Sequence, residues 1–265
     1  MYSHVPFSAW VWLPPMLALL FGAALLNPGA NLAVFLLLNR EGHVLGEVFW
    51  ANLTMLGDGA VALALALTSI RRAPRAFWAA LIAAVLATLW VQMFKQFIDV
   101  QRPLAVLAPG QFFQSGPAYR AVSFPSGHAA AIFALTGIWV MSLRDQPWLR
   151  TAMLLLAVLV SLSRVMVGVH WPLDLVGGML GGWAAAWLGL RAVSGAPCKT
   201  SGAGGLFAGL LLLMVAAALL VSRHVGYSDA LPLQRLIAVV CVLVGVIEIV
   251  LLIAPLGLRR GAKGE

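Results

Sequence analysis

The feature that most limits how this chain folds is a series of apolar runs, each close to the ~20 residues that cross a bilayer as a helix. They lie near 9–26, 50–70, 76–97, 127–143, 151–168, 172–191, 205–221 and 235–257. Lipid offers no water to backbone N–H and C=O groups, so each run must close its hydrogen bonds within itself. The expectation is an all-α, polytopic membrane bundle. Composition agrees: 62% of the 265 residues are hydrophobic and 10% are charged, against about a quarter charged in soluble domains. One further stretch, 30-ANLAVFLLLN-39, is apolar but too short to span, and reads as interfacial or re-entrant.

The net charge of +8 is therefore read by position, and no nucleic-acid partner is expected. With eight spans, Arg71, Arg72, Arg75, Arg144, Arg150, Arg191, Lys199, Arg259, Arg260 and Lys263 share one side, which is then cytoplasmic. Arg40, Lys95, Arg102, Arg120, Arg164, Arg223 and Arg235 fall on the other side and call for a local reason. Residues 1–39 hold no Lys or Arg, unlike the basic start of a secretory signal, so 9–26 reads as a retained helix. Cys198 and Cys241 lack metal-ligand spacing, and no disulfide is expected between a loop and a helix interior. The stretch 194-SGAPCKTSGAGG-205 reads as a linker. It divides the chain into a six-helix body at 1–192, a cytoplasmic linker at 193–204, and a helix pair with a basic tail at 205–265.

Three polar segments meet the outer side: 95-KQFIDVQRP-103, 123-SFPSGHAA-130 and 163-SRVMVGVHWPLDLVGG-178. A charge at a helix centre costs about 2.5–3.5 kcal/mol even on the gentlest insertion scale. Lys95, Arg102, Arg164, His128, His170 and Asp174 are thus expected to gather at a wet site at the helix ends. Three fixed cations beside one carboxylate call for an anion, and phosphate or pyrophosphate matches that demand. A transferring phosphoryl group spreads negative charge over its oxygens, so cations and N–H donors must surround it. Lys95, Arg102 and Arg164 supply the cations. Gly127 lets the backbone approach, the following helix N-terminus offers free amides, and Ser126 adds a hydroxyl. Neutral His170 suits attack on phosphorus, with Asp174 in the first turn of the next helix to fix the imidazole tautomer. His128 is the second histidine, available to protonate the leaving oxygen. Gly168 reads as the turn that ends the helix carrying Arg164.

In order and approximate spacing, Lys95-x6-Arg102-Pro103, Pro125-Ser126-Gly127-His128 and Ser163-Arg164-x5-His170-x3-Asp174 resemble the three signature motifs of the type 2 phosphatidic acid phosphatase (PAP2) superfamily. The resemblance covers about residues 5–192. It implies a six-helix core and a metal-independent lipid phosphatase without a cofactor. It also implies His170 as nucleophile, His128 as general acid, and Lys95, Arg102, Ser126, Gly127 and Arg164 as phosphate ligands. The expected substrate is a phosphorylated membrane lipid: undecaprenyl pyrophosphate, phosphatidylglycerol phosphate, phosphatidic acid or lipid A phosphate. The expected setting is a bacterial inner membrane, with the site facing the periplasm. Nothing in the motifs bears on oligomeric state.

Competing readings accompany each assignment. The same residues suit a phosphotransferase that passes phosphate from a polyprenyl pyrophosphate to lipid A, or a non-catalytic phospholipid transporter or scaffold. A vanadate-dependent oxidase is disfavoured because the proteins of that kind are soluble. Arg120 is a possible substrate contact or a solvated loop charge. Ser163 either joins the site or bonds back to its own helix. Asp58 reads as structural, as do His43 and His224. Glu248 is an acid within a span and has no assigned role. Trp10, Trp12, Trp50 and Trp171 read as interfacial anchors.

Overall fold

The computed structural model describes residues 8–143, 145–223 and 226–261, with side chains throughout except at His43 and 255–261. Arg144, His224 and Lys263 therefore lie outside the described residues. The helices, in chain order, are α1 (Ala9–Leu25), α2 (Ala30–Gly42), α3 (Glu47–Leu56), α4 (Gly59–Leu67), α5 (Pro74–Phe97) and α6 (Pro103–Val106), then α7 (Gly127–Ser142), α8 (Pro147–Met166), α9 (Pro172–Ala192), α10 (Ala203–Val221) and α11 (Leu231–Gly261). Every expected apolar run is helical, and the described residues contain no strand. By length and composition, five helices are able to cross a membrane. Seven spans result if the bent pairs α1–α2 and α3–α4 each count as one, and α7 is a shorter apolar helix.

Local chemistry sets the helix starts. Proline opens α5, α6, α8 and α9, where its missing N–H costs no hydrogen bond and its fixed φ suits the first turn. Ser126 caps α7, and the Asp58 carboxylate caps α4 by accepting from the Ala60 and Val61 amides.

One segment differs from the sequence reading, and a second is given its shape. The run at 50–70 is not continuous: it bends by 56° between α3 and α4, because Asp58 restarts the helix. Gly57, at the break, lies so close to His128 and Val160 that a side chain there would press on both. The piece at 30–39 is a full helix, folded back at 108° from α1. Its Asn39 side chain donates to the carbonyls of Phe113, Val165 and Met166 and accepts from the Phe113 amide, so it binds the end of α8 to a loop.

The centre of the bundle is α7 against α9, with α5 packed on both. Small residues permit the approach: a methyl group at Gly178 would strike the Ser126 carbonyl and Ala129, and one at Gly182 the Ala130 carbonyl. The C-terminal pair α10–α11 shares an apolar cluster with α3 and α4, in which Trp50, Met55 and Val61 meet Ala216, Leu219 and Cys241.

Glu248 has a structural partner after all. It is fully buried on α11 and accepts from Arg71 at 2.7 Å and Arg72 at 3.0 Å, at the end of the bundle where α5 begins. Trp50 and Trp171 are buried against protein, and their indole N–H groups donate to the Gly42 and Gln101 carbonyls. Trp12 is 41% exposed, as an interfacial anchor would be.

Candidate active site

The three polar segments converge at the opposite end of α5 from Arg71 and Arg72. Lys95 lies on the last turn of α5, Arg102 at the start of α6, His128 in the first turn of α7, Arg164 in the last turn of α8, and Asp174 in the first turn of α9. The fields of Arg102, Arg164 and Lys95 all reach the His170 ring.

His170 sits between α8 and α9, on the turn that Gly168 permits with its φ of 77°. A single carboxylate oxygen organises this turn. Asp174 Oδ2 accepts from the Ser123 hydroxyl at 2.5 Å and from the Trp171 amide at 2.8 Å, and lies 3.1 Å from His170 Nδ1. The Trp171 bond caps α9, so Asp174 both closes the helix start and holds the imidazole. A carboxylate only accepts, so the proton in the third contact belongs on Nδ1. Nε2 then keeps its lone pair, and Arg102 Nη1 lies 3.4 Å from it. The backbones of the second and third segments also join, with the Ser126 amide donating to the Asp174 carbonyl at 2.9 Å.

Arg102 is 8% exposed, and its guanidinium donates to the carbonyls of Ala121 and Val169 while lying over the Tyr119 ring. Arg164 is 3% exposed and donates to the hydroxyls of Thr54 at 2.8 Å and Tyr227 at 3.5 Å. These partners are carbonyls, hydroxyls and a ring, so they hold the two guanidiniums in place without cancelling their charge. Arg164 Nε and His128 Nε2 are buried without a hydrogen-bond partner among the described residues. Buried polar nitrogens are seldom left so, and a bound anion with its ester oxygen is the kind of group that satisfies them.

Burial pushes the His170 pKa well below the ordinary 6.5, and Arg102, Arg164 and Lys95 push it the same way. The imidazole is therefore neutral at neutral pH. Burial likewise lowers Arg102 from its ordinary value, with Arg164 adding to the effect. Both shifts favour the arrival of negative charge.

Ser126, at the head of α7, is fully buried; its oxygen accepts from the Ala129 amide, which leaves its proton to donate. Beside it, a methyl group at Gly127 would make only an ordinary contact, with Val91. Arg120 is exposed and turns to the Leu104 carbonyl at 3.2 Å. Ser163 bonds back to the Val160 carbonyl of its own helix. Sequence reasoning missed Ser123, Thr54 and Tyr227 as parts of this site. Ser123 stands within a quoted segment, but one more serine carries no signal. Thr54 and Tyr227 lie far from the motifs in the chain.

The chain is similar to several known proteins. The chain is 35% identical to an undecaprenyl-diphosphatase of Sulfolobus acidocaldarius over 119 residues, which is 44% of this chain and 55% of the relative. It is 37% identical to a lipid A 1-phosphatase of Rhizobium etli over 62 residues, 23% of this chain and 25% of the relative. It thus spans about half the length, or less, of these curated relatives. The crystal structure of Aquifex aeolicus LpxE aligns with a TM-score of 0.54 at 28% identity, covering 62% of this chain and 97% of that one. Residues 76–197, the stretch that holds all three polar segments, match the PAP2 superfamily model.

Proposed function

We propose that this protein is a lipid phosphatase working through a phosphohistidine at His170. The observation that carries the reading is the His170 ring, with Nδ1 beside the Asp174 carboxylate and Nε2 beside the Arg102 guanidinium. Lys95, Arg102, Arg164, the Ser126 hydroxyl and the amides after Gly127 hold the phosphoryl oxygens. His170 Nε2 attacks phosphorus, and the bond from phosphorus to the leaving oxygen breaks. His128 gives that oxygen its proton, so the lipid leaves as an alcohol or a monophosphate. Water then attacks the phosphohistidine, its proton passes to His128, and inorganic phosphate is released with His170 restored. The cations are side chains, so the reaction proceeds without a metal.

The substrate is an amphiphile. A cleft of about 250 Å3 runs between α4, α5 and α7, with Gly127 among its lining residues and walls of Ala62, Ala66, Ala84, Ala87 and Ala131. Its small apolar residues leave room for a lipid chain whose phosphate enters the cationic cradle. The names of the relatives favour a polyprenyl pyrophosphate or a lipid A phosphate, and phosphatidylglycerol phosphate and phosphatidic acid meet the same chemistry. The distribution of arginines and lysines supports an orientation in the bacterial inner membrane with the site on the periplasmic face.

The test is phosphate release by the purified protein from a panel of these lipids, with and without excess chelator. Release that persists in chelator is expected. Activity lost to chelator and restored by magnesium would overturn the metal-free scheme, and no release from any member would overturn the reading itself.

A further inference from the structure

The turn between α10 and α11 lies outside the family-matched residues 76–197, yet it reaches the site. Tyr227, on this turn, is 5% exposed, and its hydroxyl accepts from Arg164 Nη1 at 3.5 Å. The other acceptor from that nitrogen, Thr54, comes from α3. The Arg164 head group is thus oriented from two directions by uncharged oxygens.

The same turn braces the loop that supports Arg102. A methyl group at Gly116 would run into the Tyr227 ring, and one at Gly226 into Pro117. That loop continues to Tyr119, whose ring lies 5.0 Å from the Arg102 guanidinium carbon, and to Ala121, whose carbonyl accepts from Arg102 Nε at 3.0 Å. Burial raises the Tyr227 pKa above its ordinary 10.0, so the phenol stays neutral and keeps a proton to donate. The α10–α11 hairpin is itself fixed to the body through its shared apolar cluster with α3 and α4.

We propose that the α10–α11 hairpin is part of the catalytic unit, with Tyr227 as a positioning residue that sets the Arg164 guanidinium in the anion cradle. This rests on the reading that Arg164 binds the transferring phosphoryl group. Charge on that group grows toward the transition state, so misplacing Arg164 lowers kcat more than it raises KM.

The experiment compares wild type, Tyr227→Phe and Tyr227→Leu as full-length protein in detergent. It measures phosphate release from phosphatidic acid and from a polyprenyl diphosphate, inhibition by orthovanadate, and unfolding temperature. Tyr227→Phe keeps the ring against Gly116 and removes only the acceptor oxygen. It is expected to lose about 10-fold in kcat/KM, mostly in kcat, and to weaken orthovanadate inhibition by a similar factor, with its unfolding temperature unchanged. Tyr227→Leu, which also frees the loop, is expected to lose more. Wild-type turnover and inhibition in Tyr227→Phe would overturn the proposal. So would a loss that follows the unfolding temperature while orthovanadate inhibition stays as in wild type. Failure of the wild-type chain to release phosphate from either lipid is a separate outcome, which brings down the phosphatase reading and this inference with it.

Discussion

The proposed attack by His170 needs an imidazole that is neutral and aimed, and three different groups meet that need. Asp174 accepts a hydrogen bond from Nδ1–H, burial and cations keep the ring uncharged, and Arg102 lies beside Nε2, where the proposed reaction needs the anion. His170→Ala is expected to abolish turnover, by 1,000-fold or more on the order of what removing an essential nucleophile costs, while lipid binding stays measurable. Residual hydrolysis near the wild-type rate would exclude His170 as nucleophile. Asp174→Asn keeps a side chain able to cap α9 but no longer dictates the tautomer, so a loss of roughly 100-fold is expected with little change in stability. A wild-type rate in that variant would reduce Asp174 to a cap. The pH dependence has a definite sign. Because the folded His170 pKa lies below the ordinary 6.5, Nε2 stays unprotonated as pH falls through 6.5, and kcat/KM should fail only at lower pH. The same depression means the unfolded chain takes up a proton before the folded one does, so this histidine's contribution to stability declines as pH drops below 6.5. An acid limb in single-turnover phosphohistidine formation with its midpoint at or above 6.5 would contradict this account.

At the scale of elements, the site is made by helix ends, and their placement depends on how closely helices approach. Ser126 and Asp174 come together because α9 offers Gly178 where α7 presents the Ser126 carbonyl. Gly178→Ala forces these helices apart at the head of the cradle. It is expected to cost about 1–3 kcal/mol of stability, as overpacking does, and to lower activity by separating the two segments. Unchanged unfolding temperature and turnover in Gly178→Ala would show that the helices yield there. The break between α3 and α4 is part of the same construction. It brings Gly57 against His128, while Asp58 restores the hydrogen bonds that the break would leave open.

At the scale of the whole molecule, charge is divided between two ends with different tasks. One end gathers cations around a space for an anion. The other joins Arg71 and Arg72 to Glu248, a pairing that links the α4–α5 connection to α11. Along α5 the two ends lie roughly 30 Å apart at the rise of an α-helix. Glu248→Gln keeps the shape and removes the charge, and about 1–3 kcal/mol of stability should be lost with the charge-assisted bonds. Its kcat/KM should match wild type, because nothing at that end touches the reacting groups. A large kcat defect in a well-folded Glu248→Gln would reveal coupling between the ends.

The sequence by itself determined the all-helical, membrane-spanning class, because apolar runs of span length satisfy their backbone in lipid by closing into helices. It also pointed to Lys95, Arg102, His128, Arg164, His170 and Asp174, because ionisable groups amid such apolarity are too costly to be incidental, and to Ser126 and Gly127 as donors at a helix N-terminus. Only the tertiary structure decided which neutral groups hold them. Ser123, Thr54 and Tyr227 are ordinary residues whose value arises from being within a few ångströms of a charge, and their distance along the chain hides that. It also decided the bend at Gly57–Asp58, the folding back of α2 and the partners of Glu248. Each of these depends on what a segment meets across the bundle, and periodicity along one strand of sequence holds no record of a neighbour.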